Sequence, residues 1–387
     1  MLHLPRRKLE FKSESVMNTN HQWSRRKFIQ SLTLAGTALI LDPDLVFANN
    51  EIDSRTKNIA LKAFGIDIHN HIDVPFLKEK FNVRQYDLVK AIKESGLAAI
   101  CMTFQVDRPA LTQPGEAYER FIVSLDEMDE LLKANNITRA MAFSDISRAR
   151  KAGNTVVIQS VEGAHFLEGK LERLKIAYDR GLRHLGLMHD NQSSPPMGDI
   201  YTDPAKFGGL TEFGINVLRE ANKLGMLVDL AHCSNEAIDD AIRTSDRPIV
   251  ISHTGLNTQL GTNEKMAKMM MPRLISKDYA QVVAKAGGVI GVWTHLADTP
   301  LEYAQNIRAM ADVVGIDHVC IGTDTKMASV PDPGRGDNTT NMTWKAEKSG
   351  FFFTVVDAML KCGFTEQDIV KVGSTNYCRV FDRATLK

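Results

Sequence analysis

Two neighbouring stretches, Gly225-Met-Leu-Val-Asp-Leu-Ala-His232 and Pro248-Ile-Val-Ile-Ser-His253, are short, almost wholly apolar runs that each end in a histidine. Runs of this kind suit strands buried on both faces of a parallel sheet. Parallel neighbours need a crossover, and the segment between them supplies one. Ser234 is placed to cap a helix reaching Thr244, with Ala237, Ile238, Ala241 and Ile242 on its inner face. Two parallel strands joined in this way end at one rim, so His232 and His253 are expected to meet there. Neutral imidazole is the commonest nitrogen ligand for zinc-like ions, so the pair points to a metal site.

The same pattern recurs along the chain. Phe64-Gly-Ile-Asp-Ile-His-Asn-His71 reads as a first strand, and side chains two apart on a strand share a face, so His69 and His71 can grip one ion. Leu97 to Phe104 reads as a second strand without a ligand. Thr155-Val-Val-Ile-Gln-Ser-Val-Glu162 closes on a carboxylate, costly at a buried strand end unless paired or metal-bound, which makes Glu162 a candidate bridging ligand. His165 follows as a supporting residue. His184 to His189 is the fourth strand, the two opening runs are the fifth and sixth, and Gly287 to Trp293 and His318 to Asp324 are the seventh and eighth. Amphipathic patterns between them predict helices over Arg84–Ser95, Glu116–Ala134, Arg139–Lys151, Leu171–Arg180 and Thr211–Lys223.

Eight such β-α units predict an α/β fold with a single (β/α)8 TIM-type barrel and a metal site at the C-terminal rim of the strands. Lys plus Arg and Asp plus Glu are equal at 47 each, so no net field favours nucleic acid or an anionic membrane surface, and a small-molecule substrate is expected. The five cysteines include no CxxC pair and read as buried apolar fillers.

Residues 1–48 read as a leader ahead of a hydrolase domain over 49–387. Ser24-Arg-Arg-Lys-Phe-Ile-Gln30 precedes a weakly apolar stretch and then Val46-Phe-Ala48, the layout of a twin-arginine export signal. The apolar part is too short for a stable membrane span. The expected location is therefore the periplasm.

The ligands suggest a chemistry. His69, His71 and Glu162 would hold one divalent ion, and Glu162, His232 and His253 a second, with Glu162 bridging. Room would remain for a shared hydroxide able to attack an amide or ester carbonyl. Asp324, at the end of the eighth strand, is placed to accept the proton and pass it to the leaving amine. His189 is placed to bond the developing oxyanion. No GxSxG, Walker-type or HExxH motif occurs, which argues against serine hydrolysis and nucleotide hydrolysis.

These residues carry a resemblance. Val161-Glu-Gly-Ala-His165, Gly209-Leu-Thr-Glu-Phe-Gly214, Leu224 to Ser234, Pro248 to His253 and Asn376-Tyr-Cys-Arg-Val-Phe381 are similar, in order and spacing, to motifs of the renal (membrane) dipeptidase family of the amidohydrolase superfamily. The resemblance implies a barrel holding two zinc ions and hydrolysing dipeptides, often with a D-residue at the C-terminal position, in a homodimer. It implies Glu162 as bridge, His232 and His253 as ligands of the second ion, His189 as the residue polarising the scissile carbonyl, and Asp324 as the first acid of the strand-eight motif. Arg273 falls where the family keeps an arginine for the substrate carboxylate. The chain departs from the pattern at His71, where the family has aspartate, at Lys326, and at Asp190-Asn-Gln after His189. A related amidohydrolase acting on N-acyl amino acids or lactones is the alternative, and a non-catalytic binding protein that keeps the barrel but not the chemistry the remaining one.

Overall fold

The computed structural model describes residues 52–72, 86–328, 339–344 and 349–386. The expected leader lies outside these residues, as does Arg84 at the start of the first expected helix. The strands are β1 (Ile66–Ile72), β2 (Ala99–Gln105), β3 (Thr138–Arg139), β4 (Val156–Glu162), β5 (Leu182–Gly186), β6 (Leu227–Asp229), β7 (Ile249–Thr254), β8 (Val289–Val292), β9 (Val319–Ile321) and β10 (Thr325–Ala328). Strands β1, β2 and β4 to β9 pair in sequence, all parallel, and β9 returns to β1 through Asp67 and Ile321. The result is the closed eight-stranded α/β barrel expected.

Local chemistry sets the helices. Thr211 accepts from Gly214 N and starts the helix Glu212–Leu224, which ends at Gly225 in left-handed backbone (φ 85°). Ser234 accepts from Ala237 N at the start of Asn235–Thr244, a cap contributing about 1 kcal/mol. The inner faces of both helices, Val217, Leu218 and Ala221 on one and Ala237, Ile238 and Ala241 on the other, are buried.

Two expectations need correction. The segment expected to be helical from Arg139 begins instead as β3, which pairs with β4, and the helix runs Phe143–Ala152. A further parallel strand, β10, pairs with β1 just past the eighth barrel strand.

The C-terminal helix Asn376–Thr385 packs Tyr377, Val380, Phe381 and Ala384 against the first residues of several strands, including Ile66, Ala99, Val156, Leu227 and Val289. Burying a phenylalanine such as Phe381 is worth about 2 kcal/mol. One mouth of the barrel is therefore filled by apolar packing, and the polar chemistry is left to the other.

Candidate metal centre

The strands' C-terminal ends carry the candidate residues into one buried cluster. At the end of β1, His69 Nε2 and His71 Nε2 lie 3.2 Å apart, as the alternation of a strand requires. Glu162 ends β4 and reaches the middle of the cluster. Its Oε1 is 2.9 Å from His232 Nε2 and 3.5 Å from both His69 Nε2 and His253 Nε2, and its Oε2 is 3.3 Å from His189 Nε2 and 3.6 Å from His71 Nε2. His232 and His253 bring their Nε2 atoms to 3.1 Å. Asp324 Oδ1 lies 3.1 Å from His71 Nε2 and 3.6 Å from His69 Nε2.

Among the described residues three donor groups emerge, each with its ligand atoms within 4.8 Å of one another: His69, His71 and Asp324; His69, Glu162 and His253; Glu162, His189 and His232. Glu162 is central, as its position at a strand end suggested. Asp324 and His189, expected as a proton acceptor and an oxyanion donor, also stand within reach of a cation here.

His189, His232 and Asp324 lie just beyond their strands rather than on the final residues. Strands β5, β6 and β9 stop at Gly186, Asp229 and Ile321. The chain then turns, and His232 (φ 69°) and Asp324 (φ 56°) adopt left-handed backbone. Strand pairing ends early because these turns aim the side chains into the rim.

The rear of each ring is held by the protein. His189 Nδ1 lies 2.7 Å from Asp107 Oδ1, and Asn191 Nδ2 donates to Asp107 Oδ2 at 2.8 Å. Ser252 Oγ serves two rings, 3.2 Å from His69 Nδ1 and 2.9 Å from His253 Nδ1. That contact needs the barrel to close tightly around Ser252: a Cβ at Gly322 would stand 1.7 Å from the Ser252 carbonyl oxygen. Asp190 Oδ1 and Tyr201 OH each lie 3.0 Å from His232 Nδ1. His295 Nε2 bonds the far oxygen of Asp324 at 2.7 Å.

Asp107, Asp190, Tyr201, Ser252 and His295 were not identified from sequence as parts of the site. Asp107 stands two residues past β2, the strand read as having no ligand; it carries none, but it orients one. His165, read as supporting, packs behind Glu162 and bonds the Asn191 carbonyl through Nε2 at 2.7 Å.

The electrostatics favour a cation. Burial pushes the Glu162 carboxyl up, yet His189, His69 and the bond to His232 outweigh it and hold the group well below the usual carboxylate range. Asp324 is likewise held low, against burial, by His253 and His295. Burial drives His69 and His253 below the ordinary histidine value, which keeps their nitrogen lone pairs available. His232 is pushed up to about 10 because its bonds to Asp190 and Glu162 overcome burial. Ionised carboxylates, neutral imidazoles and a position that stabilises positive charge suit divalent ions, with the Nδ1 contacts supplying the outer support such ligands need.

Arg273 lies beside this cluster, not in it. With His232 and His253 it lines a cavity of about 300 Å³ whose walls include Leu230, Ile251 and Leu274. Its Nη2 donates to Asp190 Oδ2 at 2.8 Å.

A sequence model described as membrane dipeptidase (Peptidase family M19) matches residues 54–387. Dipeptidase 3 of Mus musculus is 25% identical over 281 residues, which cover 70% of this chain and 53% of that protein. The chain thus spans about half the length of that relative. Among solved structures, the probable dipeptidase PvdM from Pseudomonas aeruginosa superposes with a TM-score of 0.69 at 17% identity, over 89% of this chain and 99% of that one. A metallo peptidase from Rhodobacter sphaeroides, liganded with a phosphinate mimic of the dipeptide L-Ala-D-Ala, gives 0.63 at 19% identity, over 83% and 100%.

Proposed function

Because this chain belongs to the membrane dipeptidase family, Peptidase family M19, and is a metallo-dipeptidase by that membership, we propose that it hydrolyses the peptide bond of dipeptides with two divalent ions, zinc in the native enzyme. The observation that carries this reading is the convergence of His69, His71, Glu162, His189, His232, His253 and Asp324 on one rim, all of them buried but Asp324, which is partly exposed. Ions bound there would supply an activated water and a Lewis acid for the scissile carbonyl.

The chain's own residues do the rest. Glu162 turns both oxygens into the cluster and links its two halves. Asp324, steadied from behind by His295, takes a proton and returns it to the departing amine. His189, fixed by Asp107, turns Nε2 toward the charge that develops on the carbonyl oxygen. Arg273 sits at the cavity beside His232 and His253, where the C-terminal end of a dipeptide would lie, and the apolar walls take a side chain. Tolerance for a D-residue at that end is part of the proposal, prompted by the ligand of the Rhodobacter sphaeroides enzyme. So are export by the twin-arginine route, operation in the periplasm and assembly as a homodimer, the last checked by light scattering.

The test is turnover by the purified, zinc-loaded protein on a panel of L,L- and L,D-dipeptides, N-acyl amino acids and lactones. Dipeptide hydrolysis that chelation removes and zinc restores is the expected result. A protein carrying two zinc ions that cleaves no dipeptide would overturn the reading.

A further inference from the structure

Asp190 joins two parts of the site that would otherwise act separately. Its Oδ1 lies 3.0 Å from His232 Nδ1, and its Oδ2 accepts from Arg273 at 2.8 Å and also from Arg108. The carboxylate is well shielded, with a side-chain exposure of 13%, against 24% for Arg273 and 48% for Arg108. Arg273 is the member of this trio that lines the cavity, whose walls also carry Asp199, Asp203 and Glu236.

A guanidinium recognises a carboxylate through N–H bonds and charge together. Here both are already partly committed to a carboxylate the protein carries itself. Three donors hold Asp190, so an arriving carboxylate must share Arg273 with it. The anion of Asp190 also repels the newcomer at short range.

We propose that Asp190 is a specificity-determining residue: by occupying Arg273 and Arg108 from within, it weakens selection for a free carboxylate at the substrate's C-terminal end, so that dipeptides with that end blocked as an amide are also accepted. The proposal rests on the reading of Arg273 as the residue facing that end.

Replacing the carboxylate by an amide separates the two roles of Asp190. In Asp190→Asn the carbonyl oxygen can still accept from His232 Nδ1, while the amide NH2 faces Arg273 and Arg108 as a donor and releases them.

The test uses two dipeptide mimics in which –CH2–NH– replaces the peptide bond, so neither can be cleaved; one ends in a carboxylate and the other in a carboxamide. Their Kd values are measured by calorimetry on zinc-loaded wild type, Asp190→Asn, Asp190→Ser and Asp190→Asn combined with Arg273→Gln. The wild type is expected to favour the acid by less than threefold. Asp190→Asn should favour it at least fivefold more than the wild type does, Asp190→Ser should do the same, and Arg273→Gln should cancel the gain. Either single variant that folds suffices for the comparison. A preference that does not rise fivefold, or that survives Arg273→Gln, overturns the proposal. Dipeptide turnover is followed on the same wild-type preparation. Its absence alongside the expected Kd pattern would remove only the dipeptidase reading, and its presence with an unchanged preference would remove only the role of Asp190.

Discussion

His295 Nε2 lies 2.7 Å from Asp324 Oδ2, on the opposite side of the carboxylate from the oxygen that faces His71. The bond fixes the rotation of a carboxylate that would otherwise pivot at the mouth of the rim. We expect His295→Gln to lower kcat by roughly ten- to a hundredfold, the equivalent of about 1.5–3 kcal/mol for a hydrogen bond to a charged group, while KM moves little. Steady-state kinetics on the zinc-loaded variant decide it. A change confined to KM would place His295 with substrate binding instead.

Glu162 is the residue on which both halves of the cluster depend, because its two oxygens face different histidines. Glu162→Gln should lower zinc affinity by more than a hundredfold and abolish turnover, since one neutral oxygen replaces two anionic ones. Competition with a coloured chelator measures the affinity, and circular dichroism checks that the barrel remains. Two tightly held zinc ions in the folded variant would remove Glu162 from the bridging role.

Export is tested in the cell. Changing Arg25 and Arg26 together to Lys should leave the protein in the cytoplasm, because the twin-arginine route reads that pair. Fractionation followed by immunoblotting gives the answer, and a variant still found in the periplasm would show that another signal directs it.

The cysteines give a pH-dependent prediction. Cys101, Cys233, Cys320 and Cys378 are buried and free, and Cys362 is half-buried. Burial raises these thiols, Cys378 to about 12, so at pH 8 they stay protonated and the reactive thiolate is scarce. Iodoacetamide on the native protein at pH 8 should label Cys362 slowly and the others not at all, with the rate rising with pH. Mass spectrometry of the digest reads the sites. Rapid labelling of Cys378 would contradict its burial.

Much of the centre was legible because strands impose order on sequence. His69 and His71 are two apart, Glu162 and His253 sit on the ends of apolar runs, and each position in a parallel barrel leads to the same rim. The supporting residues were hidden for a complementary reason. Asp107, Tyr201 and His295 belong to loops whose paths depend on contacts between distant segments, so no local period marks them. Asp190 was visible only as an odd neighbour of His189, and its bonds to Arg273 and His232 required the fold. The short β3 was absorbed into a helical pattern because two residues are too few to show alternation. The point at which strands give way to turns at Gly186 and Asp229 was likewise invisible to hydrophobicity, since the apolar runs continue past it through Leu187-Met188 and Leu230-Ala231.

The left-handed backbone at His232 and Asp324 has a consequence for how such a protein ages under mutation. For residues with a Cβ this conformation costs on the order of 1–3 kcal/mol each, and only glycine escapes most of it. Replacing Asp324 by Gly would therefore relieve strain but also remove the charged bonds to His295 and His71, so the melting temperature of the metal-free protein reads the balance of the two, while the proposed chemistry is lost in either case. Each of the two residues is held in its strained turn by partners behind it, Asp190 and Tyr201 for His232 and His295 for Asp324, so a change in those partners would loosen the rim before any ligand itself is touched.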